Sequence, residues 1–260
     1  MAEQTVNFSF AEGIARVTLA RPEVRNAFNA DVIAELHAAF KRIAAADDVR
    51  AVVLAGEGNV FCGGADVNWM RESLDLSFEA NAIDAERMSD MFRAIDNCPR
   101  PVIARIQGAA LGGGAGLAAA CDVAIAADDA VFGFTEVKLG IIPAVISPFV
   151  LAKIGASNAR ALFLTGERFD AARAKGIGLV HETVPAADLD AAVDRTIAEI
   201  RTAGPYAASA AKLLIRRVLD AGYEESRAIT TRAIADLRIS PEGQEGLRAF
   251  LERRKASFHG

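Results

Sequence analysis

Histidine, tryptophan, tyrosine and cysteine are scarce in this 260-residue chain, which has only three, one, two and three of them. That scarcity removes several chemistries at once. There is no GxSxG elbow, no P-loop Gly-Lys-Ser/Thr, no HExxH and no CxxC pair, so the usual nucleophile, phosphate-loop and zinc signatures are missing. His37 reads as a helix-face residue, His181 as a strand residue and His259 as part of the tail, none of them in a glycine-rich or acidic motif. Cys62, Cys98 and Cys121 are odd in number and scattered, which fits reduced thiols in a reducing compartment. No apolar run is long enough to span a bilayer, and the N-terminal MAEQTVNF lacks a basic-then-apolar signal pattern. A soluble, cytoplasmic protein is expected. The net charge of −5 gives no general nucleic-acid surface, though it leaves room for a local basic pocket for a phosphorylated ligand.

What the chain does have is aliphatic: aromatics are 7% of it but hydrophobic residues 52%, enough for a sizeable core. Val6 to Phe10 and Ile14 to Ala20 flank Glu12-Gly13 and read as a β-hairpin. Ile33, Leu36, Phe40 and Ile43 recur at helical spacing in a helix from about Ala30 to Ala45, and Ala51 to Ala55 is a buried strand. A glycine loop, GEGNVFCGGADVNWM, follows. Arg71 to Asp96 reads as mostly helix, with Met88, Met91, Phe92 and Ile95 as a core stripe. After further alternation, Leu179 to Val184 is the last strand, and helices broken at Gly204-Pro205, Gly222 and Pro241 complete the chain. This predicts an α/β core over residues 1–185 and a helical region over 186–260, with no low-complexity linker between them.

The stretch QGAALGGGAGLAAAC, Gln107 to Cys121, carries the strongest local signal. With the apolar run Pro101 to Ile106 before the glycines and the apolar run Val123 to Ala127 after the alanine-rich segment, the pattern is strand, glycine turn, short helix, strand. Three consecutive glycines mark a place where backbone comes close to something, and a helix N-terminus there leaves bare N–H groups that favour negative charge. A GxxxG membrane face through Gly112 and Gly116 fails, because Arg105 and Asp122 bracket a segment too short and weakly apolar. A dinucleotide motif, Gly114-Ala115-Gly116 onward with Asp128 or Asp129 as the ribose acid, is weakened by the QGAAL spacer and the short helix. Glycine serving only tight packing stays open.

One carboxylate sits in apolar surroundings: Glu136, flanked by Phe132, Phe134, Val137 and Leu139. Such a carboxyl tends to a raised pKa and serves as general acid and base, the plainer alternative being a capping or surface ion-pair glutamate. Amides from two glycine loops can together bind one carbonyl oxygen as charge develops on it, and a thioester enolate is the anion that fits.

FCGGADV, GAALGGGAGLAAACDVAIAADDAVFGFTEVKLGIIP and LTGERFDAARAKGIGLVHETVP resemble the signature blocks of the enoyl-CoA hydratase/isomerase (crotonase) superfamily. RPEVRNAF and FLERRK extend the resemblance over nearly the whole chain. It implies an α/β fold, a crotonase-like spiral of ββα units with a C-terminal helical trimerisation region, and a homotrimer or a hexamer built as a dimer of trimers. It implies an acyl-CoA substrate, with coenzyme A as part of that substrate and no separate cofactor, no metal, no nucleic acid and no membrane. The amides of Gly63 and Gly113 would be the oxyanion donors and Glu136 the acid–base. Arg25, Ala27, Gly63, Gly64, Ala65, Asp66 and Val67 would line the coenzyme A channel, Leu111, Gly112 and Gly116 would also bind substrate, and Lys255 would reach a CoA phosphate or else be a solvated helix lysine.

Two departures shape the functional reading. Hydratases of this family usually carry a second glutamate where this chain has Gly116, and the glycine-rich segment after IIP is replaced by Ala144 to Phe149. GADVNWM with PAVISPFV is similar to the methylglutaconyl-CoA and carboxygeranoyl-CoA hydratase branch of leucine and terpenoid breakdown. The resemblance therefore implies a lyase hydrating a branched, carboxylated enoyl-CoA through a single glutamate. Arg71 is a candidate partner for the distal carboxylate, with a solvated loop arginine as the plainer alternative, and that carboxylate itself would replace the missing second acid. A Δ3,Δ2-enoyl-CoA isomerase and a non-catalytic acyl-CoA-binding homologue are the alternatives.

Overall fold

The computed structural model describes residues 4–259; the first three residues of the N-terminal stretch and Gly260 lie outside them. Strands β1 (Val6–Ala11) and β2 (Ile14–Leu19) form the expected antiparallel hairpin, with Val6 opposite Leu19 and Ala11 opposite Ile14. Both turn residues are left-handed (Glu12 φ 50°, Gly13 φ 78°), as hairpin turns that match strand twist require. Helix α1 (Ala30–Ala44) starts where the Asn29 side chain accepts from the Val32 amide, and it buries Val32, Ile33, Leu36, Phe40 and Ile43.

From there the main sheet runs in parallel. β3 (Ala51–Gly56), β4 (Val102–Ile106), β6 (Val123–Ala127) and β9 (Glu182–Val184) follow β2 in the order β1-β2-β3-β4-β6-β9. Parallel strands covered on both faces read as unbroken apolar runs, and β3 (AVVLAG) is such a run with five of six residues buried. The strand expected over Leu179 to Val184 is shorter: the Leu179 and Val180 amides both donate to Ala174 O, His181 N donates to Ala124 O at 2.9 Å, and β9 itself spans only Glu182–Val184.

A second, three-stranded sheet was not legible in the sequence. β5 (Ala109–Leu111), within the QGAAL spacer, pairs in parallel with β7 (Val131–Gly133), which pairs antiparallel with β8 (Arg168–Asp170). Three-residue strands are too short to show a period, and their partners lie far along the chain. The helices of this part of the chain after α1 are α2 (Val67–Ser73), α3 (Phe78–Asp96), α4 (Gly113–Ala120), α5 (Ser147–Thr165) and α6 (Ala171–Gly176). Gly155, at φ 69° and ψ 164°, breaks α5 in two.

The chain divides into two compact units. One runs up to Cys98 and resumes over Val102–Val193; the other holds Pro99–Pro101 and the chain from Asp194 onward. The second unit begins inside α7 (Leu189–Thr202) and contains α8 (Pro205–Asp220), α9 (Tyr223–Ile239) and α10 (Pro241–Leu251). Among the described residues no helix is long and apolar enough to cross a membrane.

Candidate active site

A cleft of about 360 Å³ opens in the first unit. Its walls are the Gly63–Ala65 loop after β3, the Gly112-Gly113 start of α4, the segment from Thr135 to Ile146, and one face of α2 and α3. Most of this lining is apolar, including Phe28, Trp69, Met88 and Ile142. Charge inside such walls is screened little by water.

The loop amides are set by extended-chain alternation. Cys62 N donates to Ala109 O and Leu111 N to Cys62 O, each at 3.0 Å; Gly63 N donates to Arg25 O at 2.8 Å. Phe28 then bridges Ala65: its N–H donates to Gly64 O at 2.7 Å and its carbonyl accepts from Asp66 N at 2.8 Å. The Ala65 amide points away from that pairing and has no acceptor among the described residues. This corrects the expectation for Gly63, whose N–H is committed to Arg25. The uncommitted donor of the loop lies two residues further on, at Ala65.

Across the cleft, Gly112 N donates to Gly133 O at 2.8 Å and Gly116 N to Gly112 O at 3.0 Å. Gly113, in the first turn of α4, keeps an amide without an acceptor among the described residues, as the opening turn of a helix must. Gly112 has φ 51° and ψ −119°, a conformation reserved for glycine, and a Cβ there would lie 3.2 Å from Glu136 Oε1.

Glu136 opens a 3₁₀ turn, Glu136–Leu139, and among the described residues it makes no ion pair and caps no helix. Its Oε2 is buried and without a partner among the described residues. Burial pushes this carboxyl above its ordinary pKa, opposed by its own backbone amide. The plainer reading of Glu136 as a surface or capping residue is not what the structure shows.

Of the other residues singled out from sequence, Gly63, Gly64 and Ala65 line the cleft beside Gly112 and Gly113, whereas Arg25, Ala27, Asp66, Val67, Leu111 and Gly116 do not. Several of these support the wall. Arg21 Nη2 donates to Asp66 Oδ2 at 2.7 Å and Arg21 Nη1 to Ala27 O at 2.7 Å, while Asp66 Oδ1 accepts from Asn68 N and so caps α2. Burial pushes the Asp66 carboxyl up, but Arg21 and the Asn68 and Trp69 amides outweigh it and hold it below the usual range. Arg25 is exposed with φ 58°, its Cβ packed near Gly63, and Val67 is exposed. Arg71 is exposed, donates to Asn68 Oδ1 and does not line the cleft. Lys255 is exposed and lies past the end of α10, so it is not a helix residue. Among the described residues no group of three side chains is placed to hold a metal ion.

The same strand, loop and helix arrangement recurs across known proteins. Residues 9–260 match the family model described as enoyl-CoA hydratase/isomerase. The chain belongs to the enoyl-CoA hydratase/isomerase family. It is 36% identical over its full length, and the full length of the relative, to a Rhodobacter capsulatus protein named "Probable enoyl-CoA hydratase". It superposes on an enoyl-CoA hydratase structure from Mycobacterium smegmatis with a TM-score of 0.95 at 33% identity, covering 99% of this chain and 100% of that one. Pseudomonas aeruginosa AtuE gives a TM-score of 0.95 at 36% identity, covering 98% and 100%. The fold is therefore the crotonase-like α/β fold with a C-terminal helical region.

The resemblance drawn from the sequence expects a second carboxylate where this chain has Gly116. Here a Cβ on Gly116 would collide with Ile146 Cγ2, lie 2.9 Å from Ile146 Cβ and lie 3.2 Å from Phe92 Cε1. Ile146 is 3% exposed and Phe92 is fully buried, so the wall is closed at this point. Sequence reasoning missed Asp84, Asn81 and Ile146 as lining residues. The signal available for the first two was their spacing: Asn81, Asp84, Ala85 and Met88 fall at i, i+3, i+4 and i+7 of one helix face.

Proposed function

We propose that this protein adds water to the double bond of a 2-enoyl-CoA thioester. The observation that carries the reading is the unpartnered, buried Oε2 of Glu136, in one cleft with the uncommitted amides of Ala65 and Gly113. The thioester oxygen accepts from both amides, which favour the negative charge that develops there as the enolate forms; losing one such donor costs about 10²–10³ in rate. Glu136, kept protonated more readily by its burial, delivers a proton to the α-carbon. The names of the relatives, hydratases in the main, support the same reaction class.

The finer reading is that the acyl group is branched and carboxylated, of the methylglutaconyl-CoA type, and it rests on the similarity of GADVNWM and PAVISPFV to that branch. The partner proposed for the distal carboxylate, Arg71, lies outside the cleft, and among the described residues the charged groups lining it are Asp84 and Glu136. The test is a product assay with 3-methylglutaconyl-CoA, crotonyl-CoA and a 3-enoyl-CoA, using wild type and Glu136→Gln. Water addition that disappears in Glu136→Gln supports the hydratase, and its preference among thioesters tells which acyl group fits. Double-bond migration without water uptake carries the isomerase reading instead, which the closed wall at Gly116 also suits. Binding without turnover on all three carries the non-catalytic one.

Assembly belongs to the same reading. A homotrimer, alone or paired into a hexamer, would cover apolar side chains that the second unit exposes, among them Leu219, Ile239 and Phe250 at 77%, 78% and 80%.

A further inference from the structure

With position 116 closed by Ile146, the cleft still holds a second carboxylate, from a different element. Asp84 lines it from α3, on the face it shares with Asn81, Ala85 and Met88. That face continues into the buried stripe of Met91, Phe92 and Ile95. The helix is therefore pinned by its apolar C-terminal half, which packs Phe92 against Phe28 (ring centroids 6.2 Å apart) and beside Gly116. The N-terminal half of the same stripe turns polar where it passes over the cleft. Asp84 is about a quarter exposed (26%), and Oδ1 has one ion-pair partner, Arg87 at 3.3 Å, itself 68% exposed and screened by solvent. No partner of Oδ2 is found among the described residues.

From this geometry, and resting on the hydration reading above, we infer that Asp84 is the second catalytic carboxylate of this protein and takes the proton of the attacking water. In the step, a lone pair of water oxygen forms the O–C3 bond while Asp84 Oδ2 accepts one water proton. The C2=C3 π pair moves through the enolate held by the Ala65 and Gly113 amides, and C2 takes the proton of the Glu136 carboxyl. Asp84 ends protonated and Glu136 ionised; exchange with solvent returns both, and the net change is one water added. Glu136 alone serves the C2 proton, so the two carboxylates divide the reaction between them.

The experiment measures two rates on each variant: hydration of the thioester that wild type turns over best, and C2-proton exchange into D2O of the saturated acyl-CoA of equal length, which needs no water addition. Asp84→Asn is expected to lower hydration kcat by about 100-fold, the usual contribution of a positioned general base, with KM and exchange within about 3-fold of wild type. Glu136→Gln is expected to lose both rates. Asp84→Ala, a second variant should the amide perturb the helix, is read by the same criteria. Undiminished hydration in Asp84→Asn overturns the assignment. Equal loss of exchange and hydration in both folded variants also overturns it, since Asp84 would then act through Glu136 or the fold. A wild-type protein that exchanges C2 protons but hydrates none of the thioesters overturns the hydration reading itself, and is distinguishable because it is seen before any substitution is made.

Discussion

Ile146 occupies the space that any side chain at Gly116 would need. Its Cγ2 and Cβ stand against the position of a Cβ there, with Phe92 closing the other side. The missing carboxylate at 116 is thus matched by a compensating apolar residue thirty positions away, and the two must be read as a pair.

Gly116→Ala should destabilise the protein, although alanine gains about 1 kcal/mol of helix propensity over glycine. The added methyl overpacks a closed wall, a change that typically costs about 1–3 kcal/mol. In an Ile146→Ala background the same substitution should become neutral or stabilising. A double-mutant cycle by urea denaturation reads the coupling; additive effects would contradict the packing described.

Gly112→Ala combines a disfavoured backbone conformation with a methyl 3.2 Å from Glu136 Oε1. Hydration kcat should fall by more than about 10-fold while the folded state loses about 1–3 kcal/mol. Steady-state kinetics beside a thermal melt checks both.

Ala65→Pro deletes an N–H that serves no hydrogen bond within the described residues. No hydrogen bond within the fold is lost, so a drop in kcat of about 10²–10³-fold with an unchanged melting temperature is expected and reports the substrate oxygen. Unchanged kcat would remove Ala65 from the proposed donor pair.

The Arg21–Asp66 pair, with side chains 18% and 5% exposed, holds the segment that presents Ala65. Asp66→Asn leaves a shielded guanidinium without its anion and should cost about 3 kcal/mol at pH 7. Because the folded Asp66 carboxyl lies below its unfolded value, its contribution is present above the unfolded pKa and disappears as pH falls through the folded one. Urea midpoints of wild type and Asp66→Asn should therefore converge in acid.

Glu136 has the opposite sign. Its folded pKa lies above the unfolded value, so its carboxyl is at no disadvantage in acid and destabilises the fold as pH rises through the raised value. Glu136→Gln should raise the melting temperature at pH 7–8 (roughly neutral conditions) and lose that advantage in acid, while abolishing turnover. A melting temperature lowered at neutral pH would show that ionised Glu136 is a stabilising group.

Much of the architecture was legible because its signals are local. The hairpin around Glu12-Gly13, the α1 stripe and the apolar runs of β3, β4 and β6 each carry their period within a few residues. The second sheet was not, since β5 and β8 are three residues long and pair with residues 20 to 40 positions distant. In the site, Glu136 stood out by its apolar flanks and Gly113 by the triple glycine. The choice between Gly63 and Ala65 could not be made from FCGGADV, where several amides follow one another and only pairing with Arg25 and Phe28 decides which is taken.

The sequence by itself determined the family, through glycine loops and a glutamate whose spacing survives in a linear string. Tertiary structure alone decided which amides stay free, that Ile146 closes the wall beside Gly116, and that Asp84 on α3 shares a cleft with Glu136. Those are relationships between segments more than twenty residues apart, set by strand pairing and side-chain packing, and no local pattern encodes them.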